Sequence, residues 1–209
     1  IRMAETPTVV IEQTRTEILG MGTDISKMMT NLKNIILTET EVNKNTDEIV
    51  ELEEKLDLVQ KEISDVNFEI MSKGLDEKYV DETRCNLEVA DEYETVSDYI
   101  TRISKAISKL NGNDILLNNN KKENLELIHT KVVELFEFVN AAYENGNKDI
   151  LMEAMQRSAE IKELYKKARK DHMERVSENK MPAMLSTTYM DILNHYRRIK
   201  DHVVNVVET

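Results

Sequence analysis

Among the carboxylates that stand four residues apart in this chain are Glu53 with Asp57, and Glu94 with Asp98. On a helix that spacing puts both side chains of a pair on one face, where like charges repel. Water, a basic neighbour or a bound cation must offset the repulsion. Oxygen ligands alone favour hard or intermediate cations such as magnesium, calcium, manganese or iron. In the heptad frame of their helix, Glu94 and Asp98 face away from the apolar stripe, and Asp91 joins them as a further candidate ligand. The competing reading is a solvated acidic surface, because Asp and Glu together number 40 among 209 residues. Other chemistry is sparse. Cys85 has no His or Cys at ligand spacing. His129, His172 and His195 read as surface or stripe-edge residues. No Gly-x-Ser-x-Gly elbow, His-Glu-x-x-His pair or phosphate-binding Gly-rich loop occurs, and Gly20-Met21-Gly22 lacks a third glycine. No enzyme is expected.

The elements that must carry these residues are helices. Thr6-Pro7 offers an N-cap followed by Pro at the first helical position, and Pro182 again suits a start. Gly74 reads as a C-terminal stop, and Asn111-Gly112-Asn113 and Asn145-Gly146-Asn147 are breakers. Between these marks, apolar residues recur at steps of three and four, which keeps one stripe facing a partner helix. The stripes run from Ile18 to Ile35, Ile49 to Ile70, Val89 to Leu110, Leu125 to Ala142 and Leu185 to Val206. A fifth helix in chain order, over about 147–178, has a weaker stripe: Leu151, Ala154, Ser158, Ile161, Tyr165 and Ala168. Short loops between long helices predict an all-α fold of six antiparallel helices.

An offset of 103 residues relates the halves. It places Ile25 on Ile128, Leu32 on Leu135, Val89 on Ile192, Tyr93 on Tyr196 and Ile103 on Val206. Agreement on two separate helices argues for internal duplication. The expectation is two pseudo-symmetric three-helix bundles, repeat 1 over 7–112 and repeat 2 over 113–209. The same offset places Gln156 and Glu160 under Glu53 and Asp57, and Arg197 and Asp201 under Glu94 and Asp98. Arg197 would oppose a cation, so the site in repeat 2 is expected to be weaker or lost.

Composition narrows the partners. A formal net charge of −12 repels nucleic-acid phosphates and anionic lipid, so no nucleic acid is expected. The densest basic stretch, Lys162 to Arg175, is interrupted by Glu163, Asp171 and Glu174 and reads as a solvated helix face. One cysteine points to a reducing compartment. No apolar run approaches the roughly 20 residues that span a bilayer, and no signal peptide is visible. The start at Ile1, not Met, suggests a piece of a longer protein.

At the last helix the chain resembles a known family. Arg197-Arg198-Ile199-Lys200-Asp201-His202-Val203-Val204-Asn205-Val206 looks like the closing-helix signature of PhoU proteins, Glu-Arg-Ile-Gly-Asp-His followed by Ala-x-Asn-Ile. Arg198, Ile199, Asp201, His202 and Asn205 match, while Arg197 and Lys200 depart from it. Glu94 and Asp98 keep the Glu and Asp of the family's metal motif, and Glu53 and Asp57 match its second Glu/Asp-x-x-x-Asp element. The entry segment, Glu5 to Gly22, looks like the start of the PhoU-like domain that follows the membrane part of bacterial sodium/phosphate cotransporters. The resemblance implies two three-helix bundles, iron or zinc clusters held by these carboxylates, and a role in phosphate uptake and its regulation. It implies a linker over 1–6 and, as partner, a transmembrane sodium/phosphate transporter domain of the same chain, on the cytoplasmic face of the inner membrane. A free-standing PhoU-type adaptor acting on a phosphate ABC permease and a sensor kinase is the alternative, and a helical protein-interaction scaffold the third reading. Whether the chain forms a homo-oligomer stays open.

Overall fold

The structure, a computed structural model, describes residues 6–38, 41–72, 74, 76–178 and 181–209. The expected linker lies outside the described residues except for Thr6. Six helices follow in order: α1 (Pro7–Thr38), α2 (Val42–Ser72), α3 (Glu77–Asn111), α4 (Asn119–Asn145), α5 (Leu151–Glu178) and α6 (Ala183–Glu208). Among the described residues there is no strand. The punctuation works as its chemistry dictates. Pro7 is the first residue of α1, and the Asn118 side chain caps α4 by accepting from the Lys121 N–H. Gly146 takes φ 64° beyond α4, a left-handed turn that returns its N–H to the carbonyls of Ala142 and Tyr143. α5 begins at Leu151, a few residues later than expected, because Asn147 to Ile150 belong to the turn.

The heptad stripes of α1, α3, α4 and α6 are buried along their whole length. α1, α2 and α3 pack on one another, as do α4, α5 and α6. The two bundles join through α1 against α4 and α3 against α6, and one continuous apolar core runs through both. α2 touches only α1 and α3, and α5 only α4 and α6, so these two helices flank the molecule.

The contacts of α3 with α6 reveal a pseudo-dyad. Tyr99 and His202 are 103 residues apart, and their rings stack at 5.7 Å. Glu92 bonds His202, and the equivalent pair, Tyr99 with His195, also touches, at 5.6 Å between rings. A position meeting its own counterpart marks the axis between the repeats.

In α5 the burial pattern departs from that offset. Met152, 103 residues after Ile49, is 85% exposed, while Ile49 is fully buried. A shift of 105 instead aligns Ile49 with Ala154, Leu56 with Ile161, Ile63 with Ala168 and Asn67 with His172, all buried. α5 starts six residues after α4 ends, against four from the end of α1 to the start of α2, which accounts for the change. Leu151, expected in the apolar stripe, is exposed. His129 and His172 correct the surface reading in the other direction: both are 2% exposed. His129 faces the buried hydroxyl of Tyr196 at 2.8 Å, a partner that stands on another helix.

Candidate functional site

The groove between α2 and α3 collects the candidate carboxylates. Glu53 and Asp57 project from α2, and Glu94 and Asp98 from α3, all partly buried, with Asp91 exposed beside them. They feel one another. Burial raises the carboxyl of Glu53 above its ordinary value, and Asp98, Asp57 and Glu54 add to the rise against an opposing Lys105. Burial raises Glu94 likewise, followed by Asp98, with Asp57 and Glu53 adding smaller repulsions. Basic neighbours offset part of this. Lys61 sits 2.7 Å from Asp57, and Arg102 sits 2.6 Å from Asp98 while stacking over the Tyr99 ring. Gln60 donates to Asp91 at 2.6 Å, tying α2 to α3.

The donor set fits a metal in kind: oxygen ligands, crowded, with mutual repulsion a cation would relieve. The side chains as placed do not converge on a point. Among the described residues no group of three or more His, Cys, Asp or Glu is arranged to hold an ion. Binding would require Asp57 and Asp98 to release Lys61 and Arg102. Oxygen-only ligation also suits iron or manganese better than zinc, whose sites usually include nitrogen or sulfur.

The shifted register of α5 changes the comparison in repeat 2. Gln156 and Glu160 are exposed and line a groove with Lys131 and Glu134 of α4, on the α4 side of the helix. At 105 residues, Glu53 and Asp57 instead correspond to Ser158 and Lys162. On α6, Arg197 lies over the Tyr165 ring at 5.8 Å, and Lys200 holds Asp201 at 2.5 Å. The counterparts of the four carboxylates are therefore a hydroxyl, two bases and one acid.

Further polar contacts, which the stripes alone did not mark out, join helices. Glu92 of α3 takes His202 at 2.7 Å and Asn205 at 3.1 Å, so two residues of the closing-helix signature face the other repeat. Tyr93 donates to Asn140 at 2.8 Å and Tyr143 to Asn86 at 2.9 Å, both across the repeats. Asp24 is nearly buried between Lys27 and Lys55. Burial raises its carboxyl, but the hydrogen bonds and charges of the two lysines outweigh this and leave it below the ordinary value. The signal available in sequence was spacing: His202 and Asn205 stand three apart, and Asp24 and Lys27 likewise.

Comparison with known proteins follows this architecture. The PhoU domain family matches residues 18–107 and again 125–209. A Clostridium acetobutylicum protein, described as a phosphate-specific transport system accessory protein PhoU homolog, is 24% identical over 206 residues, covering 95% of this chain and 90% of that one. The crystal structure of PhoU from Pseudomonas aeruginosa superposes with a TM-score of 0.88 at 15% identity, covering 97% and 96% of the two chains. That of the phosphate transport system regulatory protein PhoU from Streptococcus pneumoniae gives 0.84 at 14% identity, covering 97% and 94%. Two matched domains, six helices and one shared fold lead to one statement: the chain belongs to the PhoU family.

Proposed function

We propose that this chain is a non-enzymatic regulatory or accessory protein of phosphate transport, acting as a PhoU-type adaptor on a phosphate permease and its signalling partners. The observation that carries this reading is the end-to-end match to a phosphate-specific transport accessory homolog, which covers 95% of this chain and 90% of that relative. The repeats divide at 112/113, within the stretch between the two family matches. Deleting the gene should derepress phosphate-uptake genes in phosphate-replete cells, and the chain should co-purify with permease or kinase subunits. Normal repression in the deletion strain would refute the assignment.

A second reading, favoured by the entry segment up to Gly22, makes the chain the cytoplasmic domain of a sodium/phosphate cotransporter. Among the described residues no helix is long and apolar enough to cross a membrane, so the membrane part would lie elsewhere in the gene product. The reading frame upstream of Ile1 decides it. A run of membrane-spanning segments supports the cotransporter, and an initiator codon close by removes it.

Within either reading, Glu53, Asp57, Glu94 and Asp98, with Asp91 beside them, would hold the metal, iron before zinc on donor chemistry. The ion would neutralise the crowded carboxylates and fix α2 against α3. Repeat 2 would hold none.

A further inference from the structure

Each repeat buries polar side chains at one end of its bundle. That end is built from the start of the first helix, the end of the second and the start of the third. In repeat 1 the groups are Thr14, Asn67 and Thr83, all neutral and fully buried. In repeat 2 the positions equivalent to Ile18, Asn67 and Asn86 are Lys121, His172 and Tyr189, one from each helix. Lys121 is 1% exposed and Tyr189 equally so. Lys121 Nζ, His172 Nδ1 and Tyr189 Oη have no hydrogen-bond partner among the described residues.

The three groups lie together. Lys121 Nζ sits 4.9 Å from the centre of the Tyr189 ring. The His172 and Tyr189 rings are centred 5.0 Å apart, and His172 Nε2 is 2.9 Å from Ser186 Oγ. The Asn124 side chain reaches toward the Tyr189 hydroxyl and opposes the rise of that phenol. The positive ends of α4 and α6 open at this end of the bundle, together with the negative end of α5. Burial, then Arg175, holds the Lys121 ammonium below the lysine range. Burial, then Lys121, does the same to the His172 imidazole. Burial raises the Tyr189 phenol to about 12, and Asp171, the acidic group acting on it, adds to the rise.

A buried ammonium without an acceptor is costly, and a missing counter-charge costs more than a missing hydrogen bond. When Ser186 donates to His172 Nε2, the proton sits on Nδ1, which is buried and has no partner among the described residues. All three are then donors in a positive field, which selects an acceptor carrying negative charge. Water would satisfy the donors and leave the charge unpaired. The neutral set in repeat 1 calls for no such ligand. We propose that Lys121, His172 and Tyr189 form a buried site in repeat 2 for one small inorganic anion, a halide or a phosphate-like oxyanion. The proposal stands on unpaired atoms and does not depend on the phosphate-transport reading.

Thermal unfolding of the purified chain would test it, starting from a buffer whose only anion is bulky and organic. Sodium bromide or sodium phosphate would be titrated in at constant ionic strength. The comparison proteins are Lys121→Ile, which installs the repeat 1 residue, and His172→Asn, which does the same at the second position. The wild type should gain a saturating rise in midpoint, about 5 °C at a hundredfold excess over Kd, and each folded variant should gain less. Bromide-soaked crystals should show an anomalous peak between Lys121 Nζ and His172 Nδ1. A response to bromide alone identifies a halide site, and one to phosphate alone an oxyanion site. Equal responses in the wild type and in whichever variant folds, with no anomalous peak, would overturn the proposal.

Discussion

Glu53, Asp57, Glu94 and Asp98 crowd the groove between α2 and α3, whereas the positions equivalent to them between α5 and α6 carry Ser158, Lys162, Arg197 and Asp201. The contrast extends to the whole repeats. Residues 7–112 hold 23 acidic and 12 basic residues, and residues 113–209 hold 16 and 15. Yet Tyr93 and Tyr196, Val96 and Ile199, and Leu32 and Leu135 are matched and buried in both. A core position is held from all sides by close packing, so a change of volume is felt at once. A groove position meets water on one side and can change charge at little cost in stability. Duplication therefore preserved the packing frame while the grooves took different chemistry.

The largest effects should ignore that difference. Leu32→Ala and Leu135→Ala each remove a fully buried side chain. Each should cost about 2–5 kcal/mol, with similar losses in the two repeats. Calorimetry should show a single unfolding transition, because one apolar core runs through both bundles. Two separated transitions would break the picture of a shared core.

Acid should then separate the repeats. Burial, followed by Lys33, pushes the His129 imidazole down to about 4, against the opposing hydrogen bond it donates to the Met29 backbone carbonyl. The unfolded chain takes that proton near pH 6.5, before the folded one does. Its contribution is complete above about pH 6.5 and is lost as pH falls toward 4, by at most about 3 kcal/mol. The repeat 1 position carries Ser26, so no matching loss arises there. His129→Asn should flatten denaturant-derived stability across that window. Asp24 acts lower: its lowered carboxyl stabilises the fold above the ordinary aspartate range, and that support is lost as pH falls below it.

Metal sharpens the comparison directly. Titration with iron or manganese should raise the melting temperature through repeat 1, by about 2.7 kcal/mol of stability at a hundredfold excess over Kd. Asp98→Asn should weaken that response, while Asp201→Asn should leave it unchanged. Arg197→Glu alone should not create a second site, because Lys162 remains. Adding Lys162→Asp should bring a measurable one. Anomalous diffraction locates the ion, and density in repeat 2 of the wild type would reverse the assignment.

The smallest effect is the repulsion itself. Glu53→Gln or Glu94→Gln, without metal, should stabilise the chain by a few tenths of a kcal/mol at neutral pH. The sign follows from their raised carboxyls: the folded state holds the proton more tightly, so stability falls as pH rises through the glutamate range. A loss of stability at neutral pH would show that these carboxylates make favourable contacts instead.

Six helices, their turns and the duplication were legible in the sequence, because they rest on local chemistry. Gly146 was marked as a turn, and the stripes of α1, α3, α4 and α6 repeat large apolar residues too regularly to misplace. The carboxylate pairs were legible too, since i, i+4 spacing alone puts them on one face. The stripe of Ala154, Ser158, Ile161 and Ala168 in α5 was legible as well, and all four are buried. The alignment of α5 with α2 was not, because the connection before α5 is two residues longer than the one before α2. Sequence spacing likewise could not show that Lys121 and His172 turn inward, or that Glu92 meets His202 110 residues away. Those outcomes depend on which helices stand next to each other and how far each is rotated. Both are decided only when six stripes compete for one core.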